Sequence, residues 1–263
     1  MSRSSQAKLI WIQGAGEQAS GVALRLVQAG YLVVAAEIAA PTAVRRLVAF
    51  CEAVYERRIE VAGVEGVLIS KVDEAEIGRV NVMVDPEAKG LAGSAAVAVI
   101  DARLTKRSPE ALPHGDCPLI GLGPGFEVGR NADVVIETHR EAGPGKVITQ
   151  GCAMAHTGVP GVIEGESIRR VLRAPCVGRM VGVKLLGDLV SKGEIVGCVD
   201  GEPIRALFDG RIRGLIHPDV DVHEGMKIGD VDPRGVEVNG LKVSGKALGI
   251  GDGVLEGLRV LGL

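Results

Sequence analysis

The chain has 263 residues, of which 46% are hydrophobic, 24% charged and only 2% aromatic, and its net charge is −3. A near-even charge balance with no basic block excludes a nucleic-acid surface, which needs clustered Lys and Arg, and scarce aromatics exclude stacking on single strands. No apolar run reaches the ~20 residues of a membrane helix, no signal-peptide core is present, and five scattered cysteines without a CxxC pair suit free thiols, so a cytoplasmic protein with no membrane partner is expected.

The first element is "KLIWIQ", Lys8–Gln13, a short apolar run suited to a buried parallel strand. Gly14, Gly16 and Ala19 follow in the spacing G-x-G-x-x-[G/A], and "SGVALRLVQAG" then places Val22, Leu26 and Ala29 at helical spacing up to Gly30. A second apolar strand, "YLVVAAE", ends in Glu37, 23 residues after Gly14. That is near the ~20-residue distance at which an acid meets a ribose 2′-hydroxyl in dinucleotide-binding turns. In such a turn Gly14 allows the tight bend, Gly16 lets a pyrophosphate approach the backbone, and Ala19 and Gly21 lie in the first turns of the helix whose positive end faces the anion. Glu17 sits inside this turn, where it would repel a phosphate if it pointed inward. The same charge would stabilise the helix N-terminus of a scaffold that binds no cofactor.

"PTAVRRLVAFCEAVYE", Pro41–Glu56, reads as a second helix with an apolar stripe at Ala43, Leu47, Phe50 and Val54. Arg45 and Arg46 come soon after Glu37, and Arg45 is a candidate phosphate contact, against the plain alternative of a solvated face. Further strands are expected in "VNVMVDPE" and "AAVAVIDARLTKR", with Asp85 and Asp101 at their ends, the position where α/β folds place ligand-contacting groups. "CPLIGLGPGFEVG" adds a strand followed by Gly123 and Gly125, a second candidate phosphate loop, and "ADVVIETHR" ends one more strand near His139. A lone His139 is more often a hydrogen-bonded loop residue than a catalyst, and no catalytic residue is assigned. No His, Cys, Asp and Glu set has metal-ligand spacing, so no metal site is expected.

The second half carries a hidden repeat. "RAPCVGRMVGVKLLGDLVSKGEIVGCVD", Arg173–Asp200, aligns without a gap on Arg205–Asp232 at an offset of 32 residues, pairing Gly178 with Gly210, Gly193 with Gly225 and Asp200 with Asp232. Two copies of one β unit related by a pseudo-twofold are implied. Each copy reads as strands separated by glycine turns and resembles the biotinyl/lipoyl carrier fold, a barrel-sandwich hybrid. The joining stretch "CVDGEPIRALF", Cys198–Phe208, holds no lysine, so nothing is expected to be carried covalently. The Gly- and Pro-rich "QGCAMAHTGVPGVIEGES" before it marks a boundary, and a terminal helix is expected from Gly253.

Several phrases in order resemble the YqeB-type selenium-dependent molybdenum hydroxylase system proteins: "GAGEQASGVALRL", "PTAVRR", "IGLGPGF", "HTGVPG", "KIGDVDPRG" and "KALGIGDGVLE". They run from Gly14 to Glu256 and fall in both expected domains. The resemblance implies an accessory role in maturing molybdenum hydroxylases, alongside XdhC/CoxI-type proteins that also contain a Rossmann-like domain. It implies a molybdopterin-type nucleotide as ligand, ahead of NAD(P), and a molybdenum hydroxylase or its maturation proteins as partner. It supplies no catalytic residue set.

The expected architecture is therefore α/β. A Rossmann-like domain covers residues 1–165, a small all-β barrel-sandwich hybrid covers 166–236, and a segment 237–263 packs back on the first domain. Three functions stay open. They are a maturation accessory protein binding a nucleotide-bearing ligand at the first glycine turn, an NAD(P)-dependent oxidoreductase, and a scaffold that binds only a protein partner. Whether a reaction is catalysed is not decided by the residues, and an oligomer is compatible with them.

Overall fold

The computed structural model describes residues 7–237 and 242–263, so the first six residues and the start of the expected C-terminal segment lie outside the described part. The chain divides into two compact units. Unit 1 comprises residues 1–39, 49–156 and 243–263, and unit 2 comprises 40–48 and 157–242.

Unit 1 contains β1 (Leu9–Gln13), α1 (Glu17–Gln28), β2 (Leu32–Glu37), α2 (Ala53–Glu56), β3 (Arg58–Val61), β4 (Val64–Ile69), β5 (Val80–Val84), β6 (Ala96–Asp101), β7 (Leu119–Leu122), β8 (Val134–Ile136), β9 (Val147–Ile148) and α3 (Gly245–Val260). The strands form one mixed nine-stranded sheet in the order β3-β4-β5-β2-β1-β6-β7-β8-β9. Strands β4 to β8 pair in parallel through β5, β2, β1, β6 and β7, while β3 and β9 are antiparallel edges. The apolar runs seen in the sequence are the buried inner strands; β1 is buried at all five positions. From β1 the chain builds outward to one side, then returns to add β6, β7 and β8 on the other. Strand order thus reverses beside β1, the position at whose carboxyl end open α/β sheets bind ligands.

One face of the sheet presents Trp11, Val34, Val99 and Val135 to Leu91, Leu112 and Phe126 from the connecting loops. On the other face Ile120 and Ile136 lie against Gly257 of α3. Helices α1 and α3 run side by side in the same direction. Gly21 faces Ala247 and Gly251, and Arg25 pairs with Asp252 at 2.7 Å. Because α1 follows β1, the first turns of both helices lie at the carboxyl edge of the sheet. The terminal helix begins eight residues earlier than the Gly253 expected from the sequence, at a cap where the Ser244 hydroxyl accepts the Ala247 N–H at 3.2 Å.

The helix expected over Pro41–Glu56 does not form. Short 3₁₀ turns at Arg46–Val48 and Phe50–Glu52 are separated by an extended Ala49, and only Ala53–Glu56 is α-helical. Tertiary hydrogen bonds displace the helical ones. The Val44 carbonyl accepts the Leu215 N–H at 2.8 Å, Arg46 Nε donates to the Leu215 carbonyl at 3.0 Å, and Arg45 Nη2 donates to the Lys242 carbonyl at 2.9 Å. All of these lie within unit 2.

The rest of unit 2 is β10 (Val171–Arg173), β11 (Gly178–Gly182), β12 (Leu189–Val190), β13 (Ile195–Val199), β14 (Glu202–Arg205), β15 (Gly210–Leu215), β16 (Asp221–Val222) and β17 (Lys227–Asp232). They form two four-stranded antiparallel sheets, β10-β17-β15-β12 and β14-β13-β11-β16. Adding 32 to the first residues of β11, β12 and β13 gives the first residues of β15, β16 and β17. The same shift exchanges one sheet for the other, strand by strand and pair by pair: Ile195↔Arg205 becomes Lys227↔Arg173, and Met180↔Val199 becomes Ile212↔Val231. The copies part at Arg213, where a bulge in β15 shifts the register and the side chain approaches Asp230 at 3.6 Å. Asp200 and Gly201, both at positive φ, turn the hairpin between the copies.

No helix among the described residues is long and apolar enough to cross a membrane.

Candidate functional site at the carboxyl edge of unit 1

Strands β1, β5, β6 and β8 of unit 1 each end in a polar side chain that holds a loop. Gln13 accepts the Trp11 indole N–H at 3.0 Å and donates to the Asp85 carbonyl at 3.0 Å. The Asp85 carboxylate accepts the N–H groups of Lys89 and Gly90, at 2.9 and 2.7 Å. Asp101 is fully buried and grips the Arg103 guanidinium. Glu137 accepts three N–H groups, from Thr138 at 2.7 Å, His139 at 2.6 Å and Met154 at 2.8 Å. These acids are consumed in fixing the loops of the carboxyl edge, so they shape that edge more than they offer charge to it.

The first glycine turn is different. Gly14 has φ +105°, and a Cβ there would press on the Ala102 carbonyl at 3.0 Å, so glycine is required by the fold itself. Gly16 has φ −68° and ψ −176°, an ordinary extended conformation, and no atom lies within 4 Å of where its Cβ would be. As the N-cap residue of α1 it has no side chain to accept a helical N–H group. Beside it, Glu37 Oε2 accepts the Ala15 N–H at 2.8 Å and Oε1 accepts the Ile38 N–H at 2.8 Å. Burial raises the Glu37 carboxyl above its usual range, against the pull of those two N–H groups. Each oxygen keeps a lone pair for a further donor. Ala19 is buried in α1, and Glu17 is half-buried in its first turn.

Four residues expected to touch a ligand are engaged elsewhere. Gly21 is filled by α3, since a Cβ would overlap the Ala247 carbonyl. Gly123, at φ +76°, is closed by the Thr138 side chain, and Gly125, at φ +101°, by the Arg107 carbonyl. The second glycine run thus serves close packing of protein on protein. Arg45 is buried in unit 2, bonded to the Lys242 carbonyl.

Lys246, which the sequence reading passes over, stands in the first turn of α3. Burial, then the Arg140 charge, lowers its pKa, while Glu17 and Glu137 pull the other way. A cation in a helix's first turn opposes the helix dipole, which is the one signal in the sequence that could have drawn attention to it. Exposed His156 also titrates below its usual value, through desolvation and the nearby charges of Lys106 and His139. Away from the turn, a depression of about 390 Å³ at the β8–β9 edge is lined by residues that include Glu137, Lys146 and Cys152.

No family model matches the chain. Among solved structures it is similar to an aspartoacylase family protein of Mesorhizobium loti, with 12% identity, 86% of this chain and 85% of that chain covered, and a TM-score of 0.28. Over 99% of its length it is 43% identical to the uncharacterized protein YqeB of Escherichia coli strain K12, and it covers 49% of that protein. The chain is therefore a homologue of YqeB, and it spans about half the length of that relative.

Proposed function

We propose that unit 1 holds a nucleotide-bearing ligand, a molybdopterin dinucleotide, at the carboxyl edge of its sheet, and that the protein is a cytoplasmic accessory factor in molybdenum hydroxylase maturation. The observation that carries the binding half is Gly16. It is the glycine of the first turn that the fold leaves open, at the start of a helix, next to an acid at the end of β2. A phosphate approaching Gly16 would meet the first N–H groups of α1. The free lone pairs of Glu37 suit ribose hydroxyls. The strand order β5-β2-β1-β6-β7-β8 supports a Rossmann-like reading of this unit. The molybdenum half rests on the ordered phrases from Gly14 to Glu256.

In unit 2 the exchange of two sheets under a 32-residue shift supports a biotinyl/lipoyl-like reading. Its hairpin tip is Asp200–Gly201, without a lysine, so this unit docks a partner, a molybdenum hydroxylase or one of its maturation proteins, and carries no arm.

The test is mass spectrometry of small molecules released from the purified protein, followed by titration with NAD(H), NADP(H) and molybdopterin nucleotides. A molybdopterin nucleotide is expected in the native protein and lost from Gly16→Ala. Bound NAD(P) would replace this reading with an oxidoreductase. A protein that is empty and binds none of them is a scaffold.

A further inference from the structure

We propose that the exposed apolar run Val181–Leu185 of unit 2 is the docking face for one extended segment of a partner protein, built like Val44–Arg46 of this chain: an aliphatic residue and, two positions on, a basic one. This rests on the reading that unit 2 docks a partner, and it names the face and the kind of segment that the face takes.

The template lies inside the molecule. The 32-residue repeat makes Gly182, Val183 and Lys184 of the first copy equivalent to Gly214, Leu215 and Ile216 of the second. In the second copy this corner is covered by the segment 40–48, which belongs to the same unit. Val44 lies over Gly214, where a Cβ would come within 2.9 Å of the Val44 Cγ2. The Val44 carbonyl accepts the Leu215 N–H at 2.8 Å, Arg46 Nε donates to the Leu215 carbonyl at 3.0 Å, and Leu215 is only 5% exposed. In the first copy the same corner is open. Among the described residues, a Cβ on Gly182 would meet only the Lys184 carbonyl, at 3.3 Å. Val181, Val183 and Leu185 are 63%, 63% and 73% exposed. Lys184, between them, is drawn to Glu194, so its charge does not interrupt the apolar run.

The hydrogen bonds carry the same difference. In the second copy Leu215 donates to the Val44 carbonyl and Ile216 to the Ile228 carbonyl, each at 2.8 Å. In the first copy both N–H groups turn to one acceptor, the Val196 carbonyl, which takes Val183 at 2.9 Å and Lys184 at 3.0 Å. A carbonyl brought in from outside would take over the Val183 N–H while Lys184 keeps Val196, so docking leaves no donor unpaired. On β15 the neighbouring strand β12 pairs as far as Arg211, and the segment 40–48 takes over at Leu215; on β11 the neighbouring strand β16 pairs only as far as Arg179. The face thus suits strand-like addition of a segment, with backbone bonds for affinity and one aliphatic side chain over Gly182 for specificity. Its size also selects the occupant. Three aliphatic side chains offer roughly 300 Å² of apolar surface, against about 800 Å² per partner in a stable interface between globular proteins. That is too little to hold a second copy and enough to seat one extended segment.

The experiment is an NMR titration of the isotope-labelled full chain with a synthetic peptide of residues 40–48, the segment that covers the second copy. Saturable shifts of the Val183 amide and of the Val181, Val183 and Leu185 methyl groups are expected, with a Kd on the order of 1 mM or below for so short a segment. Val183→Asp in the chain and Val44→Asp in the peptide are each expected to weaken binding about tenfold or more, and Arg46→Ala in the peptide severalfold. Val183 is exposed, so Val183→Asp is expected to melt like the native chain. Val236→Asp, at another exposed valine of unit 2, is the control and is expected to bind normally. Absent shifts at these residues, or shifts that survive Val183→Asp, overturn the assignment, as does an equal loss in Val236→Asp. A native dimer in sedimentation that Val183→Asp dissociates puts a second copy on the face and overturns the choice of occupant. Association with a purified molybdenum hydroxylase separates this proposal from the docking reading. If Val183→Asp abolishes peptide binding and leaves that association intact, the docking reading stands and this face is not its site. If the peptide binds as expected and the hydroxylase does not associate at all, that reading fails and the face stands.

Discussion

The two glycine runs of unit 1 look alike in sequence and differ in what fills them. After β1, Gly14-Ala15-Gly16 leaves one glycine facing open space; in β7 and just after it, Gly121, Gly123 and Gly125 are each closed by protein, by Phe126, Thr138 and the Arg107 carbonyl. A glycine pattern therefore marks a close backbone approach without saying what approaches. In the second run it is the protein itself that approaches, and in the first the space beside Gly16 is open. The same division appears within the first run, where Gly21, one helical turn beyond Gly16, is taken up by α3.

Alanine substitutions sharpen this contrast. Gly21→Ala has the largest expected effect on stability. Its methyl would overlap the Ala247 backbone between two packed helices, and neither helix can yield without parting from the sheet. A loss of about 3 kcal/mol is expected, at the upper end of overpacking costs. Gly125→Ala combines overlap on the Arg107 carbonyl with a left-handed backbone at φ +101°, on a more yielding loop, so a loss of about 2 kcal/mol is expected. Chemical denaturation with the midpoint compared at constant slope measures both. If Gly125→Ala were as stable as the native chain, the second run could not be a packing device, and the contrast would collapse.

The parts that were legible in the sequence are those whose causes are local. β1, the first turn, α1 and β2 are contiguous, so period and spacing show them. The repeat in unit 2 shows because 32 residues separate equivalent positions without a gap. The stretch 41–56 was misread because its hydrogen-bond partners, Leu215 and Lys242, are far away in sequence. The start of α3 was hidden by five glycines, poor helix formers, at 245, 249, 251, 253 and 257. Gly251 and Gly253 are there because they meet the carbonyls of Gly21 and Gly145, a reason only the packed helix reveals. Lys246 was invisible for a related cause, since Arg140, Glu17 and Glu137 become its neighbours only when the strand ends converge.

The two sides of the edge should also differ in their response to pH. On the turn side, the folded pKa of Glu37 is raised above 4.5 by burial. The protonated acid favours the fold, so its contribution is full below that value and is lost as pH rises through the folded pKa. On the far side, Lys246 is depressed below 10.5, again by burial first. There the unfolded chain binds the proton more tightly, so stability rises with pH from the depressed value up to 10.5. Melting temperatures across the two windows should fall through the acidic one and rise through the alkaline one. Glu37→Gln should flatten only the first change and Lys246→Met only the second. Flattening of both by either variant would mean that the sides are not independent.

The smallest expected effect on stability is the most informative for function. Gly16→Ala places a methyl at a residue whose φ of −68° and ψ of −176° suit alanine and whose Cβ direction meets no atom within 4 Å. Its effect on folding should stay within about 0.5 kcal/mol, since the alanine restricts the unfolded chain while losing a little as a helix cap. The same methyl would stand where a phosphate must come to reach the first N–H groups of α1. Normal melting with a tenfold or greater loss of nucleotide affinity is therefore expected. Normal melting with normal affinity would mean that the space beside Gly16 is vacant by design of the fold, and the first run would then be structural like the second.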